Sequence, residues 1–133
     1  MNGLVLDASV TLEWFLTEPD TSPAWDKVAL LDQYTPVVPP IWQLEVANVL
    51  SMHVQRRGLP VDVARTALAE LLALPLAIVD GGGPAAVMQL SIDQGLTSYD
   101  AAYLDVAMRG GWPLVTFDRD LVRAGRDVGV PIL

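Results

Sequence analysis

The sequence predicts an α/β protein, a three-layer sandwich in which helices cover both faces of a central parallel sheet of about five strands. Short, continuously apolar segments alternate with longer amphipathic segments about five times along the chain. Apolar runs of that length are typical of strands that are buried on both faces. Strands separated by helices favour a parallel sheet with right-handed crossovers.

The first half of the chain begins with an apolar strand, Gly3 to Leu6, followed by a helix from Ala8 to Leu16. Ser22-Pro23 is a favourable helix start, which predicts a second helix running to about Tyr34. A brief strand at 36–39 comes next. Residues 41–57 contain no helix breaker and end with two arginines followed by Gly58, which predicts one long helix.

In the second half, breaker residues separate three more helices and a strand. Leu59-Pro60 precedes a helix over 61–74, the segment Asp80 to Pro84 is a turn after the strand 76–79, and Gly110-Gly111 ends a helix that opens at Thr97. The remaining predicted elements are a helix over 85–94, strands at 113–117 and 130–133, and a helix that starts at Asp118.

Length and composition indicate one domain over residues 1–133. The chain is 52% hydrophobic, which is enough for one well-filled core, and it has neither an internal repeat nor a linker. Its longest apolar stretch, 71–79, is interrupted by Pro75 and is too short to span a bilayer, so no membrane is expected. The first residues lack the basic start of a secretory signal, and there is no cysteine. Cytoplasmic localisation is therefore the expectation.

The net charge of −8 repels nucleic acid at long range. This counts against a protein that simply coats RNA. It does not exclude a metal-dependent nuclease, because bound cations reverse the local field and a few arginines can hold phosphates.

Four acids are the candidate catalytic residues. Asp7 and Asp118 each follow a predicted strand directly, where open parallel sheets bind their ligands. Asp100 lies in the first turn of a helix, and Glu45 lies early in the long helix with Asn48 on the same face. Ser9 and Thr116 flank the two strand ends. We therefore expect the four carboxylates to converge.

Each acid also has a purely structural interpretation. Asp7 and Asp118 are suitable helix caps, Asp100 could complete a capping box with Thr97, and a helical glutamate such as Glu45 is usually solvated. Taken together the acids are more informative, because Glu45 and Asp100 have largely apolar sequence neighbours. No basic residue is obviously placed to neutralise them, and oxygen-only ligands favour Mg²⁺ or Mn²⁺. Such ions support phosphodiester hydrolysis.

The sequence resembles the PIN-domain ribonucleases, most closely the VapC-type toxins of prokaryotic toxin–antitoxin pairs. The resemblance covers nearly the whole chain and rests on four motifs in order: Leu4-Val5-Leu6-Asp7-Ala8-Ser9, Glu45-Val46-Ala47-Asn48, Ser98-Tyr99-Asp100-Ala101-Ala102-Tyr103-Leu104 and Leu114-Val115-Thr116-Phe117-Asp118-Arg119-Asp120-Leu121. It implies a PIN-like fold and a metal-dependent endoribonuclease that acts as the toxin of a type II system.

The resemblance also implies the roles of residues and partners. Asp7, Glu45, Asp100 and Asp118 would bind the metal, Ser9, Asn48 and Thr116 would support them, and Asp120 would be a possible fifth acid. The implied partners are an RNA substrate, a VapB-type antitoxin that blocks the active site, and a second copy of the chain in a homodimer. A stand-alone nuclease is an open alternative to a toxin.

Two groups of residues outside the acids have open interpretations. Trp14, Phe15, Trp25 and Trp42 are either interface residues or core, and core is favoured for at least two of them. Arg119, Arg123 and Arg126 lie at i, i+4 and i+7 on the last helix, where they either hold RNA phosphates or form a solvated face. His53 is interpreted as an incidental polar residue.

Rival readings fail at single positions. A haloacid-dehalogenase-type phosphotransferase needs an acid where this chain has Ser9, and a receiver domain needs a lysine after a late strand, whereas the only lysine is Lys27. The glycines after Asp80 lack the Gly-Lys-Ser/Thr of a phosphate loop. The serious alternative is a catalytically inactive PIN-like module that binds protein or RNA, although every acid that the metal chemistry requires is present.

Overall fold

The central sheet is parallel, and the order of its strands across the sheet is Ala77–Ile78, Thr35–Val38, Gly3–Leu6 and Leu114–Val115. The computed structural model describes residues 1–18 and 21–133. The strands are β1 (Gly3–Leu6), β2 (Thr35–Val38), β3 (Ala77–Ile78) and β4 (Leu114–Val115). The sheet therefore has four strands in the described residues, one fewer than the number that the sequence predicts.

The predicted last strand is reduced to a single bridge between Leu114 and Ile132. Two hydrogen bonds hold it, from Leu114 N to Pro131 O (2.9 Å) and from Leu133 N to Leu114 O (3.1 Å). Pro131 has no N–H group to donate, so the pairing cannot extend into a regular ladder.

Six α-helices and one 3₁₀ helix surround this sheet in the described ranges. They are α1 (Ala8–Leu16), the 3₁₀ helix (Pro23–Asp32), α2 (Ile41–Arg57), α3 (Val61–Leu72), α4 (Gly83–Gln94), α5 (Ser98–Gly110) and α6 (Arg119–Asp127). None of them is both long and apolar enough to cross a membrane.

The second predicted helix has 3₁₀ rather than α geometry. Its predicted start is confirmed, because Ser22 Oγ accepts a hydrogen bond from Ala24 N and Pro23 occupies the first turn. Ala24 is its one fully buried residue, so the segment lies on the surface. Because the segment makes few packing contacts, little stabilises a regular α-helix there relative to the tighter 3₁₀ helix.

The core is a continuous cluster that is centred on β1 and α5. All four residues of β1 are buried. Helix α5 contributes Ala101, Tyr103, Leu104, Val106 and Ala107, and it packs against β1, β4, α4 and α6. One core fits the predicted single domain over 1–133, which stays a prediction.

The aromatic residues of the early helices belong mainly to this core. Trp42 is 1% exposed, and Trp14 and Phe15 are partly buried against the core cluster. The indole Nε1 groups of Trp14 and Trp25 donate to Ala24 O and Thr17 Oγ1. The core interpretation is confirmed for Trp42, and the hydrogen bonds of Trp14 and Trp25 are internal to the chain.

The topology creates a crevice between β1 and β4. From β1 the chain moves through α1 toward β2 and β3, whereas β4 lies on the opposite side of β1 and is entered from α5. Such a switch in direction leaves a gap at the carboxyl ends of the two strands, where α/β proteins bind their ligands. Asp7 stands at this point, with its N–H donating to Val115 O over 3.1 Å.

Candidate active site

A cleft of about 720 Å³ opens at the carboxyl ends of β1 and β4 and continues between α1 and α2. All four predicted catalytic acids line this cleft: Asp7, Glu45, Asp100 and Asp118. Of the predicted supporting residues, Ser9 and Asn48 also line it. The sheet edge thus brings together residues that are up to 111 positions apart in the chain.

Asp7 is the most enclosed of the four acids, at 6% exposure. Its Oδ2 accepts hydrogen bonds from Ser9 Oγ (2.9 Å) and Thr116 Oγ1 (2.8 Å). Burial raises the pKa of the Asp7 carboxyl, the two hydroxyl donors and the Ala8 N–H lower it, and the nearby Asp118 raises it slightly further. The net effect is a raised pKa. Ser9 and Thr116, which the sequence analysis places beside the two strand ends, therefore both donate to Asp7.

Thr116 links two of the acids. It is 5% exposed, it donates to Asp7, and its Oγ1 accepts the backbone N–H of Asp118 over 3.1 Å. Asp118 Oδ1 in turn accepts the N–H of Leu121 (2.9 Å) and so caps α6. The capping interpretation of Asp118 is thus confirmed, and the same exposed side chain still lines the cleft.

Glu45 is half-buried and is held by a residue of another helix. The hydroxyl of Tyr103 on α5 donates to Glu45 Oε1 over 2.8 Å. Burial raises the pKa of Glu45, the Tyr103 hydrogen bond lowers it, and the charges of Asp7 and Asp100 raise it, with a raised pKa as the result. This contact satisfies the need for a partner that its apolar neighbours indicate.

Asp100 lies in the first turn of α5, where its N–H donates to Thr97 Oγ1 over 3.1 Å. Burial raises the pKa of Asp100, and the charges of Asp118, Asp7 and, more weakly, Asp120 raise it as well. The acids of the cleft are therefore close enough to repel one another. Asp120 does not line the cleft but acts on Asp100 through its charge.

The residues fit a hard divalent cation by donor type and charge. The two ion pairs within residues 1–18 and 21–133 join Arg109 to Asp105 and Arg123 to Asp127, so neither neutralises the cleft acids. Carboxylate oxygens are the ligands that Mg²⁺ and Mn²⁺ prefer.

The expected convergence of the four carboxylates is only partly realised. Among the described residues, no three Asp, Glu, His or Cys side chains are grouped closely enough to hold a metal ion together. Internal hydrogen bonds hold Asp7, Glu45 and Asp118 in separate positions. Repulsion between the carboxylate charges also favours distance between them. The acids share one cleft rather than one point.

The three arginines of α6 do not line the cleft. Arg123 donates to Gln94 O over 2.8 Å and forms an ion pair of 3.6 Å with Asp127. That Arg119, Arg123 and Arg126 contact RNA stays a prediction. Their position outside the cleft gives this prediction no support.

Sequence reasoning missed three residues at the site. Tyr103 lies three positions after Asp100, a spacing that places both on one side of α5 and was a usable signal. His53, which the sequence analysis interprets as an incidental polar residue, and Arg57 both line the cleft. They follow Glu45 at intervals of eight and twelve residues on α2, so helical periodicity could have found them as well.

Comparison with known proteins agrees with this fold. A family model described as PIN domain matches residues 4–127. No curated protein sequence matches the chain.

Solved structures similar to the chain share its fold at low sequence identity. PAE2754 from Pyrobaculum aerophilum is 24% identical, with a TM-score of 0.73 over 98% of this chain and 88% of that one. VapBC2 from Rickettsia felis, solved with a DNA fragment from its promoter, is 14% identical with a TM-score of 0.67 over 98% and 97%. VapC20 from Mycobacterium tuberculosis, described as a sarcin-ricin loop cleaving toxin, is 15% identical with a TM-score of 0.60 over 92% and 95%. Since the family model spans nearly the whole chain, the protein belongs to the PIN domain family.

Proposed function

We propose that this chain is a Mg²⁺- or Mn²⁺-dependent endoribonuclease that acts as the toxin of a type II toxin–antitoxin system. One observation carries the proposal: Asp7, Glu45, Asp100 and Asp118 line a single cleft at the switch point of a PIN-domain sheet. Neither ion pair of the described residues involves any of them. Concentrated negative charge in a cleft suits a site that recruits divalent cations.

The four acids have distinct proposed roles. Asp7 is fixed by Ser9 and Thr116 and would be the most rigid metal ligand. Asp100 and Asp118 would approach from the starts of α5 and α6, and Glu45, oriented by Tyr103, from α2. A bound divalent cation would supply activation of water and stabilisation of the leaving oxygen. The protein residues hold the ligand oxygens in place for that chemistry.

The substrate and partners follow from the family and from its similar structures. RNA is the proposed substrate because VapC20 is described as a toxin that cleaves the sarcin-ricin loop. An antitoxin of the VapB type is the proposed partner, since VapBC2 and FitAcB from Neisseria gonorrhoeae share this fold. We further propose that the chain forms a homodimer and that it acts in the cytoplasm, as the sequence analysis expects.

The function is tested by mapping new RNA ends. Purified protein, freed of any bound partner, is incubated with total RNA and Mg²⁺ or Mn²⁺ beside an EDTA control. Asp100→Asn is the inactive variant, and Asp62→Asn is the matched control because Asp62 is exposed on α3 and does not line the cleft. We expect discrete metal-dependent ends that vanish in Asp100→Asn and persist in Asp62→Asn.

Two other outcomes would count against the proposal. The absence of new ends with either metal, from a folded and partner-free sample, would favour a PIN-like binding module. Unchanged ends in Asp100→Asn would place the activity elsewhere or in a contaminant. The toxin role is tested separately by induced expression in a host cell, which should arrest growth for the wild type and not for Asp100→Asn.

A further inference from the structure

We infer that Arg57 binds a phosphate of the RNA strand at the end of the cleft remote from the four acids. The inference rests on the proposed function, since it assigns part of the substrate contact in the same cleft. It concerns a residue at the far end of α2, outside the four motifs that carry the family resemblance.

Helix α2 lays one row of side chains along the cleft. Glu45, Val49, His53 and Arg57 follow one another at intervals of four residues, and all four line the cleft. A helix rises 1.5 Å per residue, so Arg57 lies about 18 Å along α2 from Glu45. The row therefore leads from the catalytic acids to a basic residue.

The opposite wall of the cleft is formed by α1. Leu12 and Leu16 make it partly apolar, and Glu13 and Thr17 add polar groups. Glu13 accepts a hydrogen bond from Ser22 Oγ and adds negative charge to this wall. A polyanionic strand that leaves the acids is thus repelled at Glu13 and attracted at Arg57.

Among the described residues that line this cleft, Arg57 is the one basic side chain other than His53. It is exposed, and neither ion pair of the described residues includes it. With a net charge of −8 the chain has no general attraction for RNA, so binding requires a local cation that is not already neutralised. Arg57 provides one, with a planar group suited to phosphate oxygens.

Stabilisation of helix α2 is the alternative role of Arg57. Arg57 stands in the last turn of α2, where a positive charge stabilises the helix dipole. Arg56 shares that turn and is also exposed. It does not line the cleft, although it lines a smaller adjoining pocket with His53 and Arg57. The two neighbours therefore form a matched pair. Either arginine can stabilise the helix dipole, whereas only Arg57 can contact RNA that lies in the cleft.

The experiment measures the affinity for a fluorescein-labelled, single-stranded RNA of mixed sequence by anisotropy in Mg²⁺. The protein is the full chain carrying Asp100→Asn, so that the probe is not cut, with Arg57→Gln, Arg57→Lys or Arg56→Gln added. We expect Arg57→Gln to weaken binding about tenfold at low salt and to lower the slope of log K against log salt by about 0.7. Arg57→Lys should retain most of the affinity, and Arg56→Gln should change it less than about twofold.

The active chain gives an independent readout. Arg57→Gln without Asp100→Asn should raise KM and leave kcat nearly unchanged, because the contact is remote from the cut. Equal effects of Arg57→Gln and Arg56→Gln on RNA affinity, or no measurable RNA binding by the Asp100→Asn chain, would overturn the inference. If the wild type never cleaves RNA but Arg57→Gln alone loses RNA affinity, the nuclease proposal fails and the Arg57 contact stands.

Discussion

Tyr103 donates a hydrogen bond of 2.8 Å to Glu45 Oε1 and so joins α5 to α2 across 58 positions of sequence. Tyr103 is fully buried, and burial together with the adjacent Glu45 carboxylate raises the pKa of its hydroxyl. The hydroxyl therefore stays protonated and remains a donor. This contact fixes the direction from which Glu45 faces the cleft.

The first prediction concerns this contact. Tyr103→Phe keeps the ring and removes the donor, so Glu45 loses its fixed orientation. If Glu45 binds the metal, we expect Mn²⁺ affinity to fall about tenfold, the usual effect of losing the partner of a ligand. Isothermal titration with Mn²⁺ measures this, and Tyr34→Phe, outside the cleft, is the control. Unchanged Mn²⁺ affinity in a folded Tyr103→Phe chain would show that the hydrogen bond only supports the fold.

The second prediction concerns pH and stability. The pKa values of Asp7, Glu45 and Asp100 are raised, chiefly by burial, from ordinary values of 3.8 for Asp and 4.5 for Glu. These ordinary values are the pKa values of the unfolded chain. The stabilisation that such groups give is complete at a pH below the unfolded-state pKa and is lost as the pH rises through the higher pKa of the folded state.

We therefore expect Asp100→Asn to have a larger free energy of unfolding than the wild type at pH 7 in EDTA. The difference should shrink toward pH 4, where the wild-type carboxyl is protonated. Urea unfolding at a series of pH values measures this, with Asp62→Asn as the exposed control. A wild type that is more stable than Asp100→Asn at pH 7 would contradict the repulsion between the cleft acids.

The third prediction separates the two roles of Asp118. Asparagine can replace aspartate as a helix cap, because its side-chain oxygen can also accept the Leu121 N–H. Asp118→Asn should thus keep the Tm within a few degrees while RNA cleavage falls by about 100-fold, the upper end of the loss that removing even the partner of a metal ligand causes. Asp118→Ala should lose the cleavage and also about 1 kcal/mol of stability. Full cleavage by Asp118→Asn would leave Asp118 a cap alone.

The fourth prediction concerns Thr116, the link between Asp7 and Asp118. Thr116→Val has nearly the same shape but cannot donate to Asp7 Oδ2 or accept the Asp118 N–H. We expect a loss of about 1–3 kcal/mol in the free energy of unfolding, because the buried Asp7 carboxylate and the part-buried Asp118 N–H each lose a partner. Thr116→Ser keeps the hydroxyl and should recover most of the loss. Equal stability of the valine and serine variants would show that the two hydrogen bonds contribute little.

The sequence was sufficient for the elements that place the acids. The apolar run before Asp7 and the long breaker-free helix that carries Glu45 were predicted with the bounds that the structure has. Strand β4 was predicted too long, because Thr116 leaves the ladder and turns its hydroxyl to Asp7 instead. Local patterns predict where strands and helices begin, but not where a side-chain contact ends the pairing.

The finer arrangement of the cleft depends on packing between distant elements. That Tyr103 meets Glu45, and that the row of α2 ending at Arg57 faces the cleft, follow from how α5 and α2 pack around the sheet. Periodicity shows which residues of a helix share a face, but not which neighbour that face meets. The arginines of α6 have the same helical spacing and lie outside the cleft.

The central proposal is that acids of the cleft bind a divalent cation. Its most direct measurement is the anomalous difference density of Mn²⁺ in crystals of the wild type and of Asp100→Asn. We predict a peak in the cleft of the wild type, in contact with carboxylate oxygens of at least two of Asp7, Glu45, Asp100 and Asp118, and its loss in Asp100→Asn. Density only elsewhere on the wild-type surface, at Mn²⁺ concentrations that support RNA cleavage, would contradict the claim.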